Sequence, residues 1–118
     1  MKLLSAALLL ATVSTAQATE TWVVQLGTGS AVQQGTWQIN VQGDTVSGGG
    51  MLAAAGKAPE TFGLAGRVSA KTYQLARLGG ATAGSCVYNG TASSDGTTIS
   101  GAYSCAGKVM PWFASVRK

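Results

Sequence analysis

The chain has 118 residues, no histidine, two cysteines, and eight Lys or Arg against four Asp or Glu. Without His it has no Ser–His or Cys–His nucleophile pair and no side chain that titrates near neutrality by default. Its net charge of +4 is spread over dispersed basic residues with no basic stripe interleaved with aromatics, which argues against a nucleic-acid partner.

The first segment reads MKLLSAALLLATVSTAQATETW. Lys2 is a short basic region, Leu3 to Val13 an apolar run, and Ala16-Gln17-Ala18 the small-x-small pattern that a signal peptidase cleft admits. The run is too short to span roughly 30 Å of hydrocarbon. Residues 1–18 are therefore expected to be a cleaved secretory signal. Residues 19–118 (118 − 18 = 100 residues) are then one domain, secreted or periplasmic, with no transmembrane anchor after cleavage and no cysteine near the cut to carry lipid.

Beyond this leader the chain is rich in Gly, Thr, Ser, Val and aromatics, and turn residues recur about every 8 to 12 positions, as in a β-sandwich or barrel. Trp22, Val24 and Leu26 share one face of the first strand. Trp37, Ile39 and Val41 share one face of the second, with Gln38, Asn40 and Gln42 on the other. Gly43-Asp44 is a two-residue turn leading into Thr45-Val46-Ser47-Gly48. Glycines 48–50 leave room for the Trp37 ring opposite. Met51 to Pro59 (MLAAAGKAP) is expected to be a long loop holding at most one helical turn, ended by Gly56 and Pro59. Phe62, Leu64, Gly66 and Val68 alternate into a turn near Ala70-Lys71, and Tyr73 and Leu75 lead back. A cysteine-bounded hairpin and a last segment, Val109 to Val116, complete about eight strands. Joined by consecutive hairpins, they predict an all-β fold, a small antiparallel up-and-down β-barrel closed or nearly closed, with a small β-sandwich as the alternative.

Residues 86 to 105, CVYNGTASSDGTTISGAYSC, nearly mirror themselves. Asp95-Gly96 is a type I′ turn signal, since both central positions need positive φ. Centring the hairpin there pairs Cys86 with Cys105, Tyr88 with Tyr103, Gly90 with Gly101 and Ala92 with Ile99 on one face. The cysteines then occupy a hydrogen-bonded pair site with Cα atoms about 5.5 Å apart, and a bulge or longer turn at Ser93 to Gly96 would move them to a different site. Export favours a disulfide between Cys86 and Cys105. A metal or redox role is the alternative, opposed by the lack of His, of clustered carboxylates and of Cys-x-x-Cys. Closing a loop of about 20 residues contributes on the order of 3 kcal/mol.

No catalytic, metal-binding or cofactor-binding set emerges. Asp44 and Asp95 are explained by turns. Ser115-Val116-Arg117-Lys118 fits Ser-x-x-Lys but ends a strand where that motif opens a helix. Gly48-Gly49-Gly50 and Gly27-Thr28-Gly29 precede no helix that would present amides to a phosphate. Asn89-Gly90-Thr91 is a formal N-glycosylation acceptor. Gly43 to Gly48 (GDTVSG) echoes Gly96 to Gly101 (GTTISG), through duplication or through the shared needs of a turn entering a strand.

A small exported eight-stranded meander resembles calycin-like barrels of the lipocalin and avidin types. Gly35-Thr36-Trp37 is similar to the Gly-x-Trp signature of lipocalins, displaced from the first strand to the second. That likeness implies a late basic residue, here Arg117, over Trp37. The chain also resembles small disulfide-bearing periplasmic inhibitors of hydrolases. Ser100-Gly101-Ala102-Tyr103 is one residue short of the Ser-Gly-Ala-x-Tyr stretch of one lysozyme-inhibitor family. Size, export, the disulfide and the absence of catalytic groups point to a non-enzymatic binding module for a protein or polymer, with an inhibitor of a secreted or periplasmic hydrolase as one form, acting through loops at one barrel end. The alternatives are a carrier of a small apolar or aromatic ligand and a structural envelope or extracellular domain. Trp22, Trp37, Tyr73, Tyr88, Tyr103 and Trp112 would line a carrier's pocket or simply fill a narrow core. Expressed in a secreting host, the chain should mature between Ala18 and Thr19; an intact mass that retains residues 1–18 rejects the leader.

Overall fold

Period-two alternation gives each segment one apolar face, and a sheet that curls until its first and last strands meet buries that face without leaving an unpaired edge. A computed structural model describes residues 17–79 and 86–118. It contains β1 (Gln17–Leu26), β2 (Gln33–Gln42), β3 (Thr45–Ala54), β4 (Glu60–Ser69), β5 (Thr72–Leu78), β6 (Cys86–Ala92), β7 (Thr98–Cys105) and β8 (Lys108–Arg117). Each strand pairs antiparallel with the next, and β8 returns to β1, so the sheet is a closed barrel and not a sandwich. The only helical element among the described residues is a 3-10 turn, Gly29–Ala31. Residues 1–16 of the expected leader lie outside the described residues; Gln17 and Ala18 pair with Gln42 and Val41 at the start of β1.

The stagger of the strands is read from their register. Partners lead from Ala18 through Val41, Val46, Gly66, Leu75, Tyr88 and Tyr103 to Met110. The β1–β8 register, continued by the Gly27 N–H donating to the Pro111 carbonyl at 2.8 Å, brings Met110 opposite Thr28. One circuit therefore advances 28 − 18, or about ten residues, and for eight strands that makes a tilted barrel whose bore holds side chains.

The bore is filled by rings. Trp22, Trp37 and Trp112 pack against one another with centroids 5.9 to 6.4 Å apart and planes within 23 to 27°. Room for them comes from glycine. A Cβ on Gly50, the register partner of Trp37, would lie 2.4 Å from Trp37 Cδ1. One on Gly90 would lie 2.7 Å from Trp112 Cζ2. Around the rings Val24, Leu26, Ile39, Val46, Leu64, Leu75 and Ile99 close the core.

Three expectations need correction. Met51–Ala54 is strand, not loop or helix: β3 runs on to Ala54, with Leu52 buried and Met51 outward. Pairing with β2 along the whole stretch, and with β4 as far as Leu52, outweighs the helix preference of the alanines, and only residues 55–59 connect β3 to β4. The Cys hairpin keeps its expected partners, but its turn is a four-residue loop, residues 94–97, not a type I′ turn. Only Gly96 has positive φ there, at 75°. Asp95 Oδ1 holds this loop by accepting from Ser93 Oγ at 2.7 Å, Thr97 Oγ1 at 2.8 Å and the Thr97 N–H at 3.1 Å. Those donors, Ser93 foremost, depress its pKa from 3.8 to about 2. Both turn lengths share one centre, so the partners do not change, but the ladder phase does: Ser93 and Thr98 now close the hairpin. Cys86 and Cys105 thereby move to a non-hydrogen-bonded site, where the strands approach more closely, and form a disulfide with Cα atoms 4.2 Å apart. Third, Arg117 does not cover Trp37; it lies exposed on β8 opposite Thr21.

The glycine argument makes a stability prediction. Gly50→Ala should destabilise by about 1–3 kcal/mol through overpacking against Trp37, lowering Tm by several degrees. Gly63→Ala, whose Cβ would meet only ordinary contacts at 3.5 Å, should leave Tm nearly unchanged. Equal melting of both variants contradicts the ring-over-glycine packing.

Candidate functional site

Alternating up and down, the strands place their connections at two ends that differ. The turn end carries Gly43-Asp44, Ala70-Lys71 with both φ positive, the residue 94–97 loop and the C-terminus. The loop end carries residues 27–32, residues 55–59, the β5–β6 connection and the Ala106-Gly107 turn. Residues 80–85 of that connection lie outside the described residues.

The loop end holds the charged pair of the interior. Glu60 opens β4 and Arg77 lies near the end of β5, both on the inward phase shared with Phe62, Leu64 and Leu75. Arg77 is 4% exposed. Its Nη1 is 3.4 Å from Glu60 Oε1, and its guanidinium carbon sits 4.0 Å from the Phe62 ring centroid. The pairing answers the desolvation cost of a buried cation, and the aromatic face adds cation–π attraction. The Cys86–Cys105 disulfide joins β6 to β7 at this same end.

All six aromatic residues expected to line a pocket or fill the core face inward. Trp22, Trp37, Tyr88 and Trp112 are buried, and Tyr73 and Tyr103 are half-buried against the same cluster. Trp22 Nε1 donates to Glu20 Oε1 at 2.9 Å, and Trp112 Nε1 donates to the Asn89 carbonyl at 2.9 Å. Among the described residues, Trp37 Nε1 is buried with no hydrogen-bond partner, and the Tyr88 hydroxyl is buried without a well-formed one. Tyr88 stacks 5.6 Å from Tyr103 and edge-on 5.0 Å from Trp37. Rings at 0% exposure leave no water-sized void beside Trp22, Trp37 or Tyr88.

Three charged side chains of the interior escaped the sequence reading: Glu20, Glu60 and Arg77. Each sits two residues from an inward apolar neighbour (Trp22, Phe62, Leu75), so strand phase was the signal that could have found them. Among the described residues no group of His, Cys, Asp or Glu is arranged to hold a metal, and no helix is long and apolar enough to cross a membrane. Ser115 lies on β8 and the residue 48–50 glycines lie within β3, so neither motif opens a helix.

The outer wall is the remaining surface. Thr19 and Thr21 hydroxyls donate to Asn40 Oδ1 and Gln38 Oε1 across the β1–β2 ladder at 3.0 and 3.1 Å. On β8, Val109 and Phe113 are exposed. Amides and hydroxyls share this wall with exposed Val23, Met51, Leu78 and Val87 as well. Compared with family models, curated proteins and solved structures, the chain matches none.

Burial raises the pKa of Tyr73, Tyr88 and Tyr103 above the ordinary 10.0; the Glu20 carboxylate adds to the rise at Tyr73, while Arg77 opposes it at Tyr88 and Tyr103. A group whose folded pKa is raised gives stability that is whole below its unfolded pKa and lost as pH climbs through the folded one. Phenolate absorbance of the native protein should therefore lag that of a free tyrosine model and rise together with loss of near-UV circular dichroism. Tyr88→Phe should move that alkaline midpoint upward. Titration near pH 10.0 with the fold intact contradicts the burial argument.

Proposed function

We propose that this chain is an exported, non-enzymatic binding module of calycin-like architecture, with an inhibitor of a secreted or periplasmic hydrolase as its specific form. The observation that carries the reading is the asymmetry of the barrel. Three of the four connections at the loop end span more than two residues, and that same end is braced by the Cys86–Cys105 disulfide and by Arg77 between Glu60 and Phe62. Loops held on a stiff frame lose little freedom on binding, which is how small inhibitors reach high affinity. The disulfide is consistent with an oxidising compartment outside the cytosol, as the leader also argues. The closely packed interior supports this reading over that of a carrier, because an apolar guest would have to displace the indoles that form the core.

Two measurements test it. The mature protein should inhibit at least one member of a panel of secreted glycosidases and proteases. Exchanging residues 55–59 for a minimal turn should abolish that inhibition, while Asp44→Asn at the opposite end retains it. No inhibition across the panel, or inhibition insensitive to the loop exchange, rejects the proposal. A panel of small apolar and aromatic ligands should leave Tm unmoved; a rise of several degrees transfers the function to the interior.

A further inference from the structure

We propose that closure of the barrel masks the Ala18–Thr19 bond, so that the expected leader is removed only before β1 docks on β2. The proposal rests on the leader, and so on the exported part of the function proposed above, but not on the loop-end surface.

The bond expected to be cut does not lie ahead of the fold. It lies inside β1, where Gln17, Ala18 and Thr19 pair with Gln42, Val41 and Asn40 of β2. Two independent contacts fix which way the backbone groups point there. Gln42 and Thr45 face each other across the two-residue Gly43-Asp44 turn, so their N–H and C=O groups address one another. Alternation then turns the groups of Val41 the other way, toward β1. On the far side of β1, the Gly27 N–H donates to the Pro111 carbonyl. By the same alternation the odd-numbered residues of β1 address β8, and the even-numbered ones, Ala18 among them, address β2. Both routes make Ala18 and Val41 a hydrogen-bonded pair, in which the Ala18 carbonyl accepts from the Val41 N–H.

That carbonyl is the one a signal peptidase attacks. Hydrolysis adds water to the Ala18 carbonyl carbon and breaks its bond to the Thr19 nitrogen, the hydroxyl going to Ala18 and the proton to the Thr19 amine. The developing oxyanion needs donors from the peptidase, and in the closed barrel Val41 stands in their place. The residues after the bond are held as well. Thr19 Oγ1 donates to Asn40 Oδ1 at 3.0 Å on the outer face. Glu20, 7% exposed, accepts from Trp22 Nε1 at 2.9 Å on the inner one. Among the described residues Gln17–Glu20 have no β8 partner, so one edge of this segment is open, but the Ala18 carbonyl lies on the other. Cleavage of the folded chain therefore waits for β1 to peel from β2. A chain threaded unfolded through a membrane meets the peptidase before that closure. Residues 1–18 carry no arginine pair, the mark of the route that exports folded proteins, so the leader's type agrees with cutting first and closing second.

The test uses the full chain, folded in detergent micelles with its disulfide formed, and purified signal peptidase, with intact mass as the readout. The first comparison is a chain with Thr-Glu-Gly-Ser inserted after Ala18, which moves the same bond out of the sheet. The second is Trp37→Asp, whose buried charge unfolds the barrel, as loss of near-UV circular dichroism verifies. The folded parent should be cut at least about tenfold more slowly than either, and both comparison chains should be cut after Ala18. Equal rates for the folded parent and the insertion chain overturn the proposal, as does a cut at any other bond. If the unfolded Trp37→Asp chain also stays whole, the leader itself is rejected, and this proposal falls with it. Inhibition through the loop end is scored separately, on residues 19–118 made without the leader.

Discussion

Everything in this barrel is subordinate to the contact of three indoles across a bore that barely holds them. A closed sheet of eight strands with a stagger of about ten residues has a fixed and narrow interior. Trp22, Trp37 and Trp112 occupy its middle at centroid separations of 5.9 to 6.4 Å. Rings of that size fit only where the neighbouring strand carries no side chain, which is why Gly50 lies beneath Trp37 and Gly90 beside Trp112. Two of the strand glycines are thus a consequence of the tryptophans, while others serve positive-φ turns or a close approach of neighbouring backbone.

Filling the middle with rings leaves the polar work to the two mouths. At the turn end, Glu20 accepts from Trp22 Nε1 and lies close enough to Tyr73 to add to the rise in its pKa. At the loop end, Arg77 lies between the Glu60 carboxylate and the Phe62 ring. Each buried charge meets an opposite charge, a donor or a π face from an adjoining part of the barrel, so its burial ties elements together as well as costing desolvation. The disulfide adds its constraint at the loop end, where the connections are long, and the turn end needs none because tight turns already close it.

How much of this was legible in the sequence differs by element. The Trp22–Val24–Leu26 and Trp37–Ile39–Val41 alternations define inward faces without help, because period two has no competing explanation there. The cysteine hairpin shows its register through its mirror, and the partners are the expected ones. Its turn was harder to read: Asp-Gly satisfies a two-residue and a four-residue loop alike, and Asp95 resolves the choice only through hydrogen bonds to Ser93 and Thr97 that sequence does not display. Met51–Ala54 read as helix or loop because alanine carries no strand signal, and pairing with β2, joined by β4 as far as Leu52, decided otherwise. Glu60 and Arg77 were passed over because a lone charge usually marks the outside, and only the phase of Phe62 and Leu75 betrays them.

The same geometry determines where recognition is physically open. Closure pairs most ladder positions, leaving Gln17–Glu20 of β1 without a β8 partner, and rings fill the bore, so backbone pairing and enclosure are both restricted. What remains is side chains on the wall and connections at the rim. Charge divides these surfaces further. Arg67, Lys71, Arg117 and Lys118 gather at the turn end, where Arg67 lies 3.5 Å from Asp44 and Lys71 donates to the Ser94 carbonyl. Cations already engaged in holding turns, in water and screened by salt, contribute little to steering. At the loop end Lys57 and Lys108 are exposed and Arg77 is held by Glu60 and Phe62, so a partner there meets two separated cations among neutral side chains, and its binding should weaken only modestly as ionic strength rises. That modest dependence follows from the placement of the charges alone, whichever partner the rim takes.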